Sequence, residues 1–184
     1  MCIRDRKYIE DFKNETEPTL ELTAYISLLK GDKTELAVQK LTELGVHRVV
    51  PFVSEYTVRT GEKSDRLRRA AHEASKQCGR AYIPEVRDAI SFADMVGELS
   101  EYDTAVFAYE GAYASGKRLK DVLRGDEKTI ALVVGPEGGF SEKEVAAMIA
   151  AGHGPVTLGK RILRAETASI AGAAVIMQLS GEWE

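Results

Sequence analysis

Two glycine-containing turns in the C-terminal part of the chain constrain its fold more than any other feature. The first follows the apolar run Ile130–Val134 and contains three glycines and one proline within residues 135–139. The second follows Val156–Leu158 and breaks at Gly159. Each turn connects an apolar run to a helical pattern. In open α/β sheets, ligands bind where such connections leave the carboxyl ends of the strands.

The residues of the first turn suit close contact between the backbone and a ligand. Glycine adopts positive φ angles and has no side chain to keep a ligand away, while Pro136 fixes its own φ and restricts Gly135 to extended conformations. A tight connection that binds nothing is the alternative, because glycine-rich motifs also occur without a ligand. The turn has no Gly-x-x-x-x-Gly-Lys-Ser/Thr and no clear Gly-x-Gly-x-x-Gly motif. This disfavours a nucleotide- or phosphate-binding enzyme that uses the helix after Ser141.

The alternation of apolar runs and helical patterns predicts an α/β fold with a mostly parallel sheet. We expect strands at residues 20–29, 46–53, 83–86, 104–109, 130–134 and 156–158. We expect helices at residues 32–45, 64–78, 91–99, 117–123, 141–152 and 165–179.

Two helix starts carry the pattern of a capping box, in which a capping side chain is followed three residues later by a glutamate. These are Asp32 with Glu35, and Ser141 with Glu144. In the helix after Asp32, the inner face is expected to carry Leu36, Leu41, Leu44 and the stem of Lys40.

Composition places the chain among soluble globular proteins, with 44% hydrophobic and 29% charged residues in 184. No apolar run approaches the roughly 20 residues of a membrane span. Two cysteines form no disulfide framework and fit a reducing cytoplasm. The three histidines show no metal-ligand spacing, so we expect no metal site.

A basic stretch runs from Arg59 to Arg80, with seven basic and three acidic side chains in a chain of net charge −4. Such a patch on an acidic protein can hold phosphates. The alternative, a solvated helix face, is favoured in the absence of other observations.

Small residues recur along one side of the last helix, at positions 165, 168, 169, 172 and 173. Such a side allows another backbone to approach closely. The pattern is equally compatible with the ordinary helix propensity of alanine.

Four motifs, in order along the chain, resemble the RsmE family of 16S ribosomal RNA uridine-N3 methyltransferases, which belong to the SPOUT class. They are Lys30–Lys33 followed by Gln39–Gly45, Glu73–Arg80, Gly135–Phe140 and Leu158–Ala168. The resemblance covers residues 20–181 and is more specific than any single motif. One departure is Ser54-Glu55-Tyr56-Thr57, where the family usually has Ser-Glu-Arg-Ser.

The resemblance implies a SPOUT-type parallel sheet flanked by helices, with a deep trefoil knot at the C-terminal end. It also implies S-adenosyl-L-methionine as cofactor and a homodimer with sites at its interface. Family members carry an N-terminal PUA-like RNA-binding domain. We therefore expect residues 1–18 to be a linker or the tail of such a domain, which is mostly absent from this sequence, and residues 19–184 to be the methyltransferase domain.

The expected reaction is methyl transfer to N3 of a uridine in 16S ribosomal RNA of the small ribosomal subunit, in the cytoplasm. The resemblance and the turns assign cofactor binding to Gly135, Pro136, Glu137, Gly138, Gly139, Leu158, Gly159, Ile162 and Leu163. Because the proton on N3 is only weakly acidic, the reaction needs a base or cationic stabilisation of the uracil anion.

The candidate residues for contact with the substrate are mostly basic. Catalytic roles are expected for Arg164, Glu166, Gln77 and Arg80, and RNA contacts for Lys33, Lys76, Arg80, Lys160 and Arg161. Glu166 is a possible base, but a carboxylate in the first turn of a helix is also stabilised there by the helix dipole; Glu137 is similarly ambiguous. A further alternative is a non-catalytic RNA-binding subunit with the same fold. The presence of both glycine turns, which are expected to bind the cofactor, disfavours it.

Overall fold

A parallel sheet forms the centre of the computed structural model, which describes residues 16–58, 64–115 and 117–183. Its strands are β1 Glu21–Ser27, β2 Arg48–Val53, β3 Glu85–Val86, β4 Ile90–Ser91, β5 Thr104–Ala108, β6 Thr129–Val134 and β7 Gly154–Val156. The strand order is β3-β2-β1-β6-β5-β7, β4 also pairs with β2, and every pair is parallel. The predicted α/β fold with a parallel sheet is confirmed.

Helices connect the strands and cover both faces of the sheet. They are α1 Lys33–Glu43, α2 Ser64–Cys78, α3 Phe92–Glu98, α4 Leu119–Val122, α5 Glu142–Ala150 and α6 Ala165–Leu179. Short 3-10 helices span Leu99–Glu101 and Glu110–Ser115. The predicted bounds of α6 agree with the structure at both ends.

The central strand β6 is apolar on both faces because each face contacts its own group of helices. Ile130, Leu132 and Val134 belong to the core that α1, α2 and α6 cover. Ala131 and Val133 belong to the core that α3 and α5 cover. The sheet is therefore buried on both sides, and its loops are left at the two edges where strands begin and end.

The last strand was predicted at residues 156–158, but it is Gly154–Val156. This strand lies at the edge of the sheet, where Pro155 pairs with Phe107. Proline is accepted there because an edge strand does not need every N–H group. Thr157 follows the strand as an isolated bridge to Arg118.

Two predictions for α1 were wrong. Leu36 is exposed, whereas Leu41 is buried as predicted, together with Ala37 and Val38. The side chain of Asp32 makes no capping hydrogen bond to the helix; it accepts one from Arg66 at 2.6 Å. The capping box of α5, by contrast, is confirmed.

The small side chains of α6 face the interior of the chain. Ala165, Ala168, Ser169, Gly172 and Ala173 are buried. A Cβ at Gly172 would lie 2.9 Å from Leu132 Cδ2, so the helix packs closely on β6. This side of the helix therefore contacts the sheet of its own chain.

Two glutamate carboxylates form hydrogen bonds that hold both ends of the described chain at the edge where the strands begin. The carboxylate of Glu182 accepts hydrogen bonds from the N–H groups of Thr19 and Leu20. Glu17 accepts hydrogen bonds from Arg80 and from the N–H groups of residues 81 and 82. Residues 1–15, which include most of the predicted linker, lie outside the described residues.

Candidate functional site

Four loops meet at the edge where the parallel strands end, and this edge contains both glycine turns. The loops follow β1, β2, β6 and β7. The N–H of Lys30 donates to Glu137 at 3.0 Å, which joins the loop after β1 to the first turn. The hydroxyls of Ser27 and Thr57 are 2.8 Å apart, which joins the loops after β1 and β2.

The first turn is tight and has one open side. The N–H of Gly139 donates to the carbonyl of Pro136 at 2.9 Å, and Gly139 has a φ of 73°. A Cβ at Gly138 would lie 2.9 Å from Cβ of Tyr56, and one at Gly135 would lie 3.0 Å from the ring of Phe140. No heavy atom lies within 4 Å of the Cβ position of Gly139. The turn is thus packed at two glycines and open at the third.

A buried glutamate connects the first turn to the loop after β2. One oxygen of Glu144 accepts from the N–H of Ser141 at 2.9 Å, as expected for the capping box. The other accepts from the N–H of Glu55 at 2.9 Å. The side chain that caps α5 therefore also fixes the position of the loop at residues 54–58.

The second turn exposes most of its side chains. Gly159 has a φ of 116°, and its N–H donates to Thr157 Oγ1 at 3.2 Å. Leu158 and Leu163 pack against the core. Lys160, Arg161 and Arg164 are exposed, and Ile162 is 81% exposed, although it is apolar. The predicted cofactor residues of both turns thus lie at the same edge of the sheet, together with Arg164.

Lys33, Glu137 and Glu166 form a charged cluster that joins three of these loops. Lys33 Nζ lies 3.6 Å from Glu137 Oε1 and 3.9 Å from Glu166 Oε1. Glu166 is only 8% exposed, and its Oε2 is buried with no hydrogen-bond partner among the described residues. Lys33 was predicted to contact RNA; here its charge lies between two carboxylates.

The environment of Glu137 favours its charged form. Burial tends to raise its pKa, but hydrogen bonds from the N–H groups of Lys30 and of Glu137 itself outweigh that effect, with help from the charge of Lys33. The pKa is therefore held below its ordinary value. A charged Glu137 keeps the loop after β1 attached to the first turn.

Gln77 and Arg80 are not brought to the turns within one chain. They lie at and after the end of α2, beside the edge where the strands begin. The side chain of Arg80 is 5% exposed and pairs with Glu17 at 2.7 Å. It also donates to the carbonyls of Thr42 and Val46, each at 2.9 Å. The structure thus gives Arg80 contacts that join α1, β2 and the N-terminal segment.

Most basic side chains of α2 are paired with carboxylates. Arg66 pairs with Asp32 and Glu35, Arg68 with Asp65 and Asp88, and Lys76 with Glu73. Arg59 and Lys63 of the predicted basic stretch lie outside the described residues. These pairs support the interpretation of the helix as a solvated, ion-paired face.

Sequence reasoning did not assign Tyr56, Thr57 or Ser27 to the site, although all three lie at the edge with the turns. Thr57 Oγ1 accepts from the N–H of Ser54 at 2.8 Å, which closes the loop after β2. The available signals were the position of this loop at the carboxyl end of a buried strand and the departure of residues 56 and 57 from the family motif.

No group of His, Cys, Asp and Glu side chains in residues 16–58, 64–115 and 117–183 could hold a metal ion. Within the same residues, no helix is long and apolar enough to cross a membrane.

Comparisons with known proteins agree with this geometry. A family model described as "RNA methyltransferase domain" matches residues 15–177. The chain is 34% identical over 165 residues to ribosomal RNA small subunit methyltransferase E of Bacillus subtilis, covering 82% of this chain and 64% of that protein. It is 32% identical over 168 residues to the protein of the same name in Mesomycoplasma hyopneumoniae, covering 88% and 71% respectively.

Solved structures show the same fold. The ribosomal RNA small subunit methyltransferase E of Neisseria gonorrhoeae, bound to S-adenosyl methionine, superimposes with a TM-score of 0.86 at 32% identity, covering 94% of this chain and 72% of that one. A Legionella pneumophila methyltransferase with bound SAM superimposes with a TM-score of 0.83 at 30% identity, covering 89% of this chain and 68% of that one. The chain also resembles a TrmH/SpoU tRNA-modifying enzyme of Aquifex aeolicus, with a TM-score of 0.57 and coverage of 92% of this chain and 79% of that one. At 14% identity, this likeness shows the fold alone. The chain spans 57% of the length of the Synechocystis relative and 73% of the length of the Aquifex aeolicus one.

Proposed function

The chain belongs to the family of RNA methyltransferase domains that includes ribosomal RNA small subunit methyltransferase E, and from this premise we propose that it methylates N3 of a uridine in 16S ribosomal RNA. The methyl donor is S-adenosyl-L-methionine. The observation that carries the proposal is the meeting of both glycine turns at one edge of the sheet, in a chain that superimposes on SAM-bound relatives.

The residues of the two turns fit this cofactor. At Gly139 and Gly159 the backbone has positive φ, and no heavy atom lies within 4 Å of either Cβ position. Backbone N–H and C=O groups at both turns can therefore approach the polar atoms of a ligand. The exposed side chain of Ile162, next to the half-buried Leu163, offers apolar surface to an adenine ring. The cofactor supplies an electrophilic methyl group when bound.

The protein's own contribution is to position the uridine and to stabilise charge. For N3 to accept the methyl group that the bound cofactor would supply, its proton must pass to solvent or to a basic side chain. Arg164 is exposed at the edge with the turns and can stabilise negative charge that develops on a uracil oxygen. The burial of Glu166 and its contact with Lys33 favour a positioning role for this carboxylate.

We assign RNA contacts to the exposed Lys160 and Arg161, which are more suited to phosphate than to a base. Lys33, Lys76 and Arg80 remain predictions for RNA contact, and Gln77 and Arg80 remain predictions for a catalytic role. The contacts of Lys33 and Arg80 within one chain favour structural roles for these two residues. We therefore rank both below Lys160 and Arg161 as RNA contacts.

The C-terminal segment is proposed to form the deep trefoil knot that the family resemblance implies. Support comes from the likeness of the fold to SAM-bound relatives and from the close packing of α6 on β6. The working unit is proposed to be a homodimer in the cytoplasm, where the small ribosomal subunit is found. The exposed apolar side chains Val175, Leu179 and Trp183 near the end of α6 offer a contact surface.

Two measurements test the function. Calorimetry should show that the chain binds S-adenosyl-L-methionine. A methylation assay with small ribosomal subunits, mapped by mass spectrometry, should then show a single N3-methylated uridine. A chain that binds RNA but not the cofactor would instead be a non-catalytic RNA-binding subunit.

A further inference from the structure

Tyr56 presents an aromatic ring to solvent at the edge that contains both glycine turns. The residue is 47% exposed, although hydrogen bonds hold the loop around it. Its Cβ lies 2.9 Å from the Cβ position of Gly138, and its ring atom Cγ lies 3.5 Å from the same position. The ring therefore packs next to the first turn. The ring is therefore next to the site where the proposed reaction takes place.

Hydrogen bonds hold the loop that carries Tyr56. The Thr57 hydroxyl contacts the hydroxyls of Ser27 and Ser54 at 2.8 Å and 3.1 Å. The N–H of Glu55 donates to the buried carboxylate of Glu144. Because contacts on both sides of residue 56 fix the backbone, little conformational entropy is lost when a ligand packs against its ring.

The charge of the chain bears on the kind of interaction through which the ring of Tyr56 can bind a ligand. The chain has a net charge of −4, and Arg66, Arg68 and Lys76 of α2 are paired with carboxylates. The basic side chains of α2 are therefore largely neutralised, and the electrostatic part of RNA binding at this edge is left to exposed cations of the second turn such as Lys160 and Arg161. Stacking of bases on aromatic side chains is the main additional source of affinity for unpaired RNA, and it needs no charge.

We propose that Tyr56 is a stacking platform for an unpaired nucleobase of the RNA substrate, next to the methyl-transfer site. The inference rests on the proposed function, because it requires that RNA reaches this edge of the sheet. It makes Tyr56 a substrate-positioning residue that contacts a base and takes no part in proton or methyl transfer.

Three variants isolate the ring. Tyr56→Phe keeps the ring and removes the hydroxyl, Tyr56→Leu removes the ring but keeps apolar volume, and Val58→Ala changes a 68% exposed apolar residue in the same loop as a matched control. For each variant we would measure, at two salt concentrations, the binding of a short single-stranded RNA centred on the uridine that the methylation assay maps. Steady-state methylation, cofactor affinity by calorimetry, oligomeric mass by sedimentation and a melting curve complete the set.

Tyr56→Leu should weaken RNA binding by about 5-fold to 100-fold, the range for loss of one stacked base. KM for RNA should rise accordingly, whereas the affinity for S-adenosyl-L-methionine and the melting temperature should stay unchanged. Tyr56→Phe and Val58→Ala should behave as wild type. The salt dependence of RNA binding should be the same in all variants, because stacking releases no counterions.

Several results would overturn the inference. RNA affinity and KM in Tyr56→Leu that equal those of wild type exclude stacking, even if the enzyme methylates RNA as proposed. A change in oligomeric mass without a change in RNA binding assigns the ring to a protein contact. If the wild type binds the cofactor but neither binds nor methylates RNA, the proposed function itself fails, and the role of Tyr56 fails with it.

Discussion

The guanidinium of Arg164 is exposed where the second glycine turn enters α6. The backbone there is fixed, since the carbonyl of Arg164 accepts from the N–H of Ala168 at 2.8 Å. No ion pair of its guanidinium is found among the described residues. A fixed backbone with an exposed planar donor suits contact with a substrate better than a structural role.

We predict that Arg164→Lys lowers kcat by about tenfold to a thousandfold, as for the loss of one transition-state donor, because the charge remains but the planar fork is lost. Single-turnover rates measure this effect. If the side chain only contacts phosphate, Arg164→Ala should instead weaken RNA binding and reduce its salt dependence. The melting temperature should not change in either variant, and wild-type turnover in Arg164→Ala would exclude the catalytic role.

His153 gives the stability of the fold a dependence on pH. It follows α5, and its Nε2 is buried with no hydrogen-bond partner among the described residues. Burial lowers the pKa of this imidazole from its ordinary value of 6.5. The folded state therefore favours the neutral ring, whereas the unfolded state accepts a proton as the pH falls through 6.5.

The free energy of unfolding should consequently decrease as the pH falls from the unfolded pKa toward the folded pKa of His153, and be unaffected by this group above the unfolded pKa. One group can contribute at most about 1.4 kcal/mol per pH unit. Denaturant unfolding of wild type and His153→Leu at a series of pH values measures the difference. The two curves should diverge only on the acid side; parallel curves would remove His153 as the cause.

At the scale of elements, the first turn depends on the conformation of Gly139. Its φ of 73° lies in the left-handed region, which is unfavourable for β-branched residues but acceptable for asparagine. Valine at this position strains the turn by about 1–2 kcal/mol, so its effect on binding would be mixed with an effect on folding. Asparagine separates the two effects.

Gly139→Asn should melt close to wild type but bind S-adenosyl-L-methionine at least about tenfold more weakly, a loss of 1.4 kcal/mol, because its side chain enters the open space beside the turn. Gly139→Val should lose both stability and binding. Calorimetry with a melting curve distinguishes them. Cofactor affinity equal to wild type in the asparagine variant would show that this side of the turn is not a wall of the cofactor site.

Local signals in the sequence were sufficient for several elements, but contacts between distant loops were not predictable. The bounds of α6 and the capping box of α5 depend on neighbouring residues, so propensity and spacing predict them. The contact of Lys33 with Glu137 and Glu166 depends on which strands are adjacent in the sheet. The position of Arg80 at the opposite edge depends on the direction of α2, which residue type does not reveal.

For the whole molecule, the face of α6 that carries its small side chains contacts the sheet of its own chain. A dimer must therefore use another surface. Val175 and Leu179 are four residues apart on the same face of α6, and both are exposed. Trp183 adds an exposed aromatic residue just beyond the helix. An apolar surface of this kind is more typical of an interface than of a monomer.

Sedimentation at micromolar concentration should give about twice the chain mass of 20.2 kDa. Leu179→Asp should shift the protein toward monomer, because a charge in an apolar interface is costly to bury. Ile149→Asp, which changes an exposed apolar residue on α5, is the matched control and should remain dimeric. A wild-type monomer that methylates RNA would rule the dimer out as the working unit.

The carboxylate contacts of Glu182 with Thr19 and Leu20 have a practical consequence for experiments on surfaces. They hold both ends of the described chain where the strands begin, and the six residues of β6 then place roughly 20 Å of sheet between these ends and the glycine turns, at about 3.3 Å per residue. A biotin or dye attached at residue 18 or 183 would keep the turns facing the solution. Immobilised molecules should therefore present the same edge to RNA in flow.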